Sequence, residues 1–324
     1  MLLFLRRRTD VGVALVALLL IISFNISSEG VWLSNANMRE VLRVTAVLSI
    51  MAFGQVLVIT TGEIDISVGS IFGSAGITYL ALIPEVGVPL AILAALSVGL
   101  GIGTINGFVT TYFRIPSLVV TLGSLFIFRG LMVYATEDAL YYGVDKAIRA
   151  NTIYQLFGDY RIGDYHITLV WAVGVLLLLH YVLFLTPIGN WLLAVGGDVE
   201  SARSRGVNVM YTKWGAFIAC GFFAGLAGIL EASNLAYTDA DFGYQRELQS
   251  IAAAVLGGCA LAGGRSSMIG TLMGAFILTG IESYLVIKFI QPHWYILLLG
   301  LIIVFVSLAD RLLTYTLTRL ASST

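Results

Sequence analysis

Two carboxylates stand two residues apart in GEIDISVGS, residues 62–70, between the apolar runs VLRVTAVLSIMAFGQVLVITT and VGSIFGSAGITYLALI. A charged side chain inside a membrane span costs roughly 2.5–3.5 kcal/mol on insertion scales, so Glu63 and Asp65 each need a reason. Three roles fit carboxylates in such a place: accepting hydrogen bonds from a hydroxyl-rich solute, carrying a proton, or capping a helix. The flanking TTG and the Ser67/Gly69/Ser70 cluster signal a helix break, whose freed backbone groups must be buried in protein or face water. Asp65 precedes ISVGS and suits the cap of a following half-helix, near its positive dipole end. Glu63 has no such explanation. A loop solvated at headgroup level is a further reading of the same residues.

The elements that must position these residues are membrane spans. Of 324 residues, 58% are hydrophobic and 11% charged, and the mean hydropathy is +0.93; an average soluble domain carries roughly 25% charge. About 20 apolar residues cross the hydrocarbon core as a helix. Runs of that kind predict an all-α polytopic membrane protein with about ten crossings. They fall near 11–27, 41–61, 66–83, 88–112, 116–135, 166–185, 212–232, 249–263, 267–286 and 292–309. MLLFLRRRTD leads into the first run without a clean small-residue cleavage site, which favours an uncleaved first span over a signal peptide. With its arginines held in the cytoplasm, ten crossings return the C-terminus to the same side. Ten Lys and Arg then fall in inside segments and seven outside, with Arg129 in a span, the direction of the positive-inside rule.

Two polar segments stand out, 136–165 expected outside and 186–213 expected inside. In the second, GGDVESARSRGVNV (196–209) carries the signals of a short helix with both ends specified. Gly197 precedes the N-cap Asp198, Glu200 suits the first turn, Arg203 and Arg205 the last, and Gly206 the C′ position. A capped, charged helix between two spans suits docking against a soluble partner, and equally an ordinary surface loop. No catalytic constellation is legible. The three lysines follow Asp145, Thr212 and Ile287 rather than Gly, so the chain has no phosphate-binding Walker A loop. His166, His180 and His293 are dispersed, and Cys220 and Cys259 sit in apolar runs, where cysteine behaves as a small hydrophobe. The net charge of −1 gives no basic surface for nucleic acid.

The acidic stretch has an echo. EIDISVGSIFGS at 63–74 lines up with ELQSIAAAVLGG at 247–258, and IGTINGF at 102–108 with IGTLMGA at 269–275. Five expected spans separate each pair, an odd number, so halves of about 41–135 and 212–309 would have opposite orientations, as in inverted-repeat transporters.

Several of these stretches together resemble the permease subunits of monosaccharide ABC importers of the ribose, xylose and galactose type, within the branched-chain amino acid and sugar permease superfamily. The carrying residues are GEIDISVG, Asn106-Gly107, Ile115-Pro116, VTLG at 120–123, Arg129-Gly130, AVGGDVESARSRGVNV at 194–209 and ELQSIAAAVLGGCALAGGRSS at 247–267. They run in order over nearly the whole chain past residue 40. The resemblance implies a permease of the bacterial inner membrane that imports a sugar or sugar-like solute. It implies a second permease copy, a periplasmic sugar-binding protein, and a separate cytoplasmic subunit that binds the ATP, with no cofactor in this chain. It makes the segment holding Gly197, Asp198, Glu200, Arg203, Arg205 and Gly206 the element coupled to the ATPase. It turns residues 136–165 and 234–248, with Asp239, Asp241 and Arg246, toward the binding protein. It sets Glu63, Asp65, Ser67, Asn106 and Glu282 along the substrate pathway. Glu63 stands where the family pattern has Gly, Asp198 where it has Asn, and Glu282 where Asn-Gly is common, so the solute does not carry over. A proton-coupled secondary transporter, with Glu63, Asp65 or Glu282 as proton carrier, is the competing reading of the residues.

Overall fold

The computed structural model describes residues 9–136, 142–291 and 293–322. Twelve helices carry the architecture: α1 (Thr9–Ser27), α2 (Asn35–Thr60), α3 (Val68–Val86), α4 (Val88–Tyr112), α5 (Ser117–Ala135), α6 (Thr168–Leu185), α7 (Pro187–Gly197), α8 (Val199–Ser204), α9 (Val209–Leu235), α10 (Arg246–Leu256), α11 (Met268–Ile287) and α12 (His293–Ser322). Seven of them, α2 to α6, α9 and α11, are at least 18 residues long and apolar enough to cross a membrane. The apolar parts of α1 and α12, Val11–Ser27 and His293–Leu308, are shorter. The chain is an all-α polytopic membrane protein.

Helices α2 and α9 are apolar on all sides and buried over most of their length, as a helix at the centre of a bundle must be. Around them α4, α5 and α6 bury one narrow stripe and expose Leu93, Ile105, Phe126 and Leu177 on the other. Lipid gives apolar helices no solvent-driven reason to associate, so close backbone contact between small residues holds them. At the α4–α9 crossing a Cβ on Gly221 would lie 2.3 Å from the Gly99 carbonyl oxygen, and one on Gly103 2.5 Å from that of Phe217.

Three elements differ from the expected spans. The run at 249–263 is a helix only to Leu256; Gly258, Gly263 and Gly264 then take positive φ, and residues 257–267 are irregular. The segment 186–213 holds two helices rather than one, because PIGNWLLAVGG forms α7 before the capped α8. The run read from residue 66 becomes helical only at Val68. The polar segment 142–166 contains short helical turns and an antiparallel pair, Arg161–Ile162 with Tyr165–His166. It is tied down at Tyr142–Gly143, which pairs with Tyr237–Thr238, and at Tyr154, whose hydroxyl donates to the Ser233 carbonyl at 3.0 Å. Arg6, Arg7 and Arg8 lie outside the described residues.

Replacing Gly221 with Val is expected to destabilise the solubilised protein by about 3 kcal/mol, the upper part of the overpacking range. Gly101→Val, where a Cβ meets nothing within 4 Å, is expected to leave its thermal unfolding unchanged.

Candidate functional site: a pinned helix break and its connections

Helix α2 ends at Thr60, Gly62 turns the chain with φ +80°, and α3 starts at Val68. Residues between them are irregular backbone packed among apolar helices, so their N–H groups need partners inside the protein. Neighbouring helices supply them. Ile64 N–H donates to Ser117 Oγ at 3.3 Å and Ile66 N–H to Thr121 Oγ1 at 3.2 Å, both on α5. From α4, Asn106 Nδ2 donates to Ser67 Oγ at 2.7 Å, and that hydroxyl in turn donates to Asp65 Oδ1 at 2.6 Å.

Asp65 is fully buried. It does not cap α3 as expected: its Oδ1 accepts the N–H of Ser67 at 2.9 Å, two residues on, which is an Asx-type turn. Ser67 itself occupies the N-cap position, without a side-chain cap. Asp65 Oδ2 has no hydrogen-bond partner. Asn106 stands six residues from the end of α4, about 9 Å at 1.5 Å per residue. Glu63, three residues past the end of α2, pairs with Lys213 Nζ of α9 at 2.5 Å.

At the same end the chain forms a junction of three backbones. A Cβ on Gly196 of α7 would lie 1.8 Å from the Thr60 carbonyl oxygen and 2.5 Å from Gly264 N. Gly264 N–H donates to that Thr60 carbonyl at 3.0 Å, and Gly263 packs on both Gly62 and Gly196. The break after α2 and the irregular segment after α10 therefore meet at the residues leading into α8.

Helix α8 is capped at both ends. Asp198 accepts the Ser201 N–H at 2.6 Å, and this bond holds its carboxyl below the usual carboxylate range. The cap is complete at neutral pH and is lost as pH falls through that lowered value. At the other end Arg205, read as part of the last turn, is the C-cap residue. Gly206, with φ +84°, donates to the Arg203 carbonyl, and Val207 donates to that of Ala202, a Schellman closure. Glu200 and Arg203 are exposed and pair at 2.7 Å; Arg205 is exposed.

Glu282 is not brought to the break. It lines a cavity of about 280 Å³ between α2, α9, α10 and α11, with Glu40, Arg43, Glu231, Arg246 and Ser283. Arg43 lies 17 residues from the end of α2, roughly 25 Å from the junction. Its guanidinium joins Glu231 at 2.5 Å and Glu40 at 2.7 Å. Arg246 turns inward, 3.9 Å from Glu231 and bonded to Gln249, rather than outward with Asp241. Asp239 and Asp241 accept from Phe242 and Tyr244 N–H groups through their carbonyls, in the turn before α10; Asp241 is exposed and Asp239 half-buried.

Sequence reading missed Lys213, Arg43, Glu231, Ser117 and Thr121. Glu231 was detectable by the argument applied to Glu63, a carboxylate in an apolar run. The two hydroxyl residues carry no signal apart from the backbone they serve.

The family model for the permease component of branched-chain amino acid transport systems matches residues 37–307. The autoinducer 2 import system permease protein LsrC of Yersinia enterocolitica is 36% identical over 265 residues, 82% of this chain and 72% of that protein. The ribose import permease protein RbsC of Escherichia coli K12 is 33% identical over 303 residues, 92% of each. No solved structure matches.

Thr121→Val removes the acceptor for the Ile66 N–H without changing shape and is expected to cost about 1–3 kcal/mol. Thr121→Ser, which keeps the hydroxyl and loses only a buried methyl, is expected to cost about 1 kcal/mol in the same denaturation series.

Proposed function

The chain belongs to the branched-chain amino acid transport system permease family, and on that premise we propose that it is the membrane-spanning subunit of an importer for a sugar or sugar-like solute. A separate ATP-binding subunit supplies the energy. The observation that carries this reading is α8: a helix capped at both ends, with exposed charge, whose flank packs by backbone on both irregular segments. Such an element can pass a push from a soluble partner into the membrane domain. The relatives named for ribose and for autoinducer 2 favour a hydroxyl-rich solute.

In this reading α8 and both termini face the cytoplasm. The periplasmic binding protein delivers solute at the opposite end, over residues 142–166 and the turn with Asp239 and Asp241. A second permease copy completes the path. The order long helix, break, second helix recurs as α2–α3 and α9–α10, and a Cβ on Gly69 at the start of α3 would meet the Glu247 carboxylate at the start of α10. This supports two inverted halves in which the N-termini of α3 and α10 face each other. It aligns Val68 with the start of α10, not Glu63 with Glu247. Solute entering from the binding protein meets the cavity of Glu282 first. Its carboxylates and guanidiniums suit hydroxyl groups, while Val41, Val44, Val286 and Ile287 suit the C–H face of a sugar ring. Asp65 and Ser67 lie farther along, at the break. A proton-coupled mechanism is less favoured, because Glu63 is held by Lys213.

Arg203→Glu with Arg205→Glu is expected to weaken ATPase association about tenfold or more, since like charges across an interface cost several kcal/mol. Assembly and import at the parent rate would refute the docking assignment, and uptake by the chain alone driven by a pH gradient would replace the whole reading. Glu282→Gln is expected to lower solute import while assembly and ATP hydrolysis persist; unchanged import would remove the cavity from the path.

A further inference from the structure

The segment that leads out of α8 is as firmly connected as the one that leads in. Gly206 and Val207 close α8 by donating to Arg203 and Ala202, and Asn208 starts α9 by accepting the Tyr211 N–H at 3.2 Å. Four residues therefore join α8 to α9 through a turn in which Arg205, Gly206 and Val207 all donate back to α8, and a displacement of α8 moves the first turns of α9 with it. Two consecutive side chains of those turns reach other elements. Lys213 pairs with Glu63, both side chains 18% exposed, and Trp214 Nε1 donates to the Thr104 carbonyl of α4 at 3.0 Å. Asn106, two residues on from Thr104, holds Ser67.

On the other flank the connection has a different physical nature. Gly196 meets Thr60 and Gly264 through backbone contact alone. Such a contact resists compression steeply and separation only through the weaker dispersion attraction between the touching atoms. An ion pair between partly desolvated groups resists separation. The two flanks of α8 thus reach the same few residues, 60–63, one able to push and the other able to pull.

We propose that Glu63 and Lys213 form the tension-bearing strut of this transporter, through which movement of α8 away from the membrane domain draws the 61–67 break out of its resting position. This rests on the reading of α8 as the ATPase-coupled element. Glu63 is a positioning residue here. It works through Lys213 and the backbone of the break, and the solute-facing chemistry belongs to its neighbours. The pair's 150-residue separation makes it a link between the element that receives the driving motion and the segment that changes.

The test uses the permease assembled with its ATPase and binding protein in proteoliposomes, and needs no knowledge of the solute. Cys220 and Cys259 are buried, so Ile64→Cys provides a thiol in the break for maleimide labelling, compared without nucleotide and after trapping with ATP and vanadate. With the pair intact the labelling rate is expected to differ between the two states. Adding Glu63→Gln is expected to shrink that difference by about fivefold or more, the scale of a lost coupling between sites, while ATP hydrolysis continues. The reversed pair, Glu63→Lys with Lys213→Glu, is expected to restore it, an outcome that a merely structural role does not produce. A full nucleotide response in Glu63→Gln overturns the strut alone. So does a reversed pair that assembles and melts like the parent without recovering the response. No response with the pair intact overturns the import reading and the strut with it.

Discussion

Everything at the candidate site depends on one constraint: seven residues of non-helical backbone, 61–67, run among apolar helices, with Thr61, Asp65 and Ser67 fully shielded. A buried unpaired N–H costs about as much as a lost hydrogen bond or more. Ser117 and Thr121 of α5 answer that need by accepting the Ile64 and Ile66 N–H groups, and Asn106 of α4 holds the Ser67 hydroxyl. Their bonds are also the reason the break has a defined shape. Because Ser67 Oγ accepts from Asn106 while donating to Asp65, one hydroxyl sets the orientation of two helices and a buried carboxylate.

Close backbone packing makes such a break compatible with a membrane domain. Glycines let α4 and α9 touch, which leaves α9 central, and the same device joins α7 to the two irregular segments at Gly196, Gly263 and Gly264. These contacts have no side-chain slack.

Buried charge is distributed with equal economy. Arg43 serves Glu231 and Glu40, and Lys213 serves Glu63. Removing one member of the buried Arg43–Glu231 pair leaves an uncompensated charge, which is far more destabilising than the pair is stabilising. Arg43–Glu231 joins α2 to α9, and Lys213–Glu63 joins α9 to the break that follows α2. Asp65 relies on hydroxyl and backbone donors, with no cation bonded to it.

The sequence by itself determined the helices, because length and apolarity of a run are local properties and a membrane reads them directly. The run at 88–112 is the helix Val88–Tyr112, and the ends read at 135 and 185 are those of α5 and α6. Capping was equally legible at Asp198 and Gly206, since an N-cap and a positive-φ C′ residue act within one turn. It failed at Asp65, whose Asx turn and whose cap would place the same residue before the same helix. Sequence reading also failed at 249–263, where composition looked like a span and the glycines made it half a helix. Only the tertiary structure decided which residue Glu63 pairs with and where Glu282 sits. An ion pair across 150 residues and a cavity shared by four helices leave no local pattern, because the partners are chosen by packing and not by spacing along the chain.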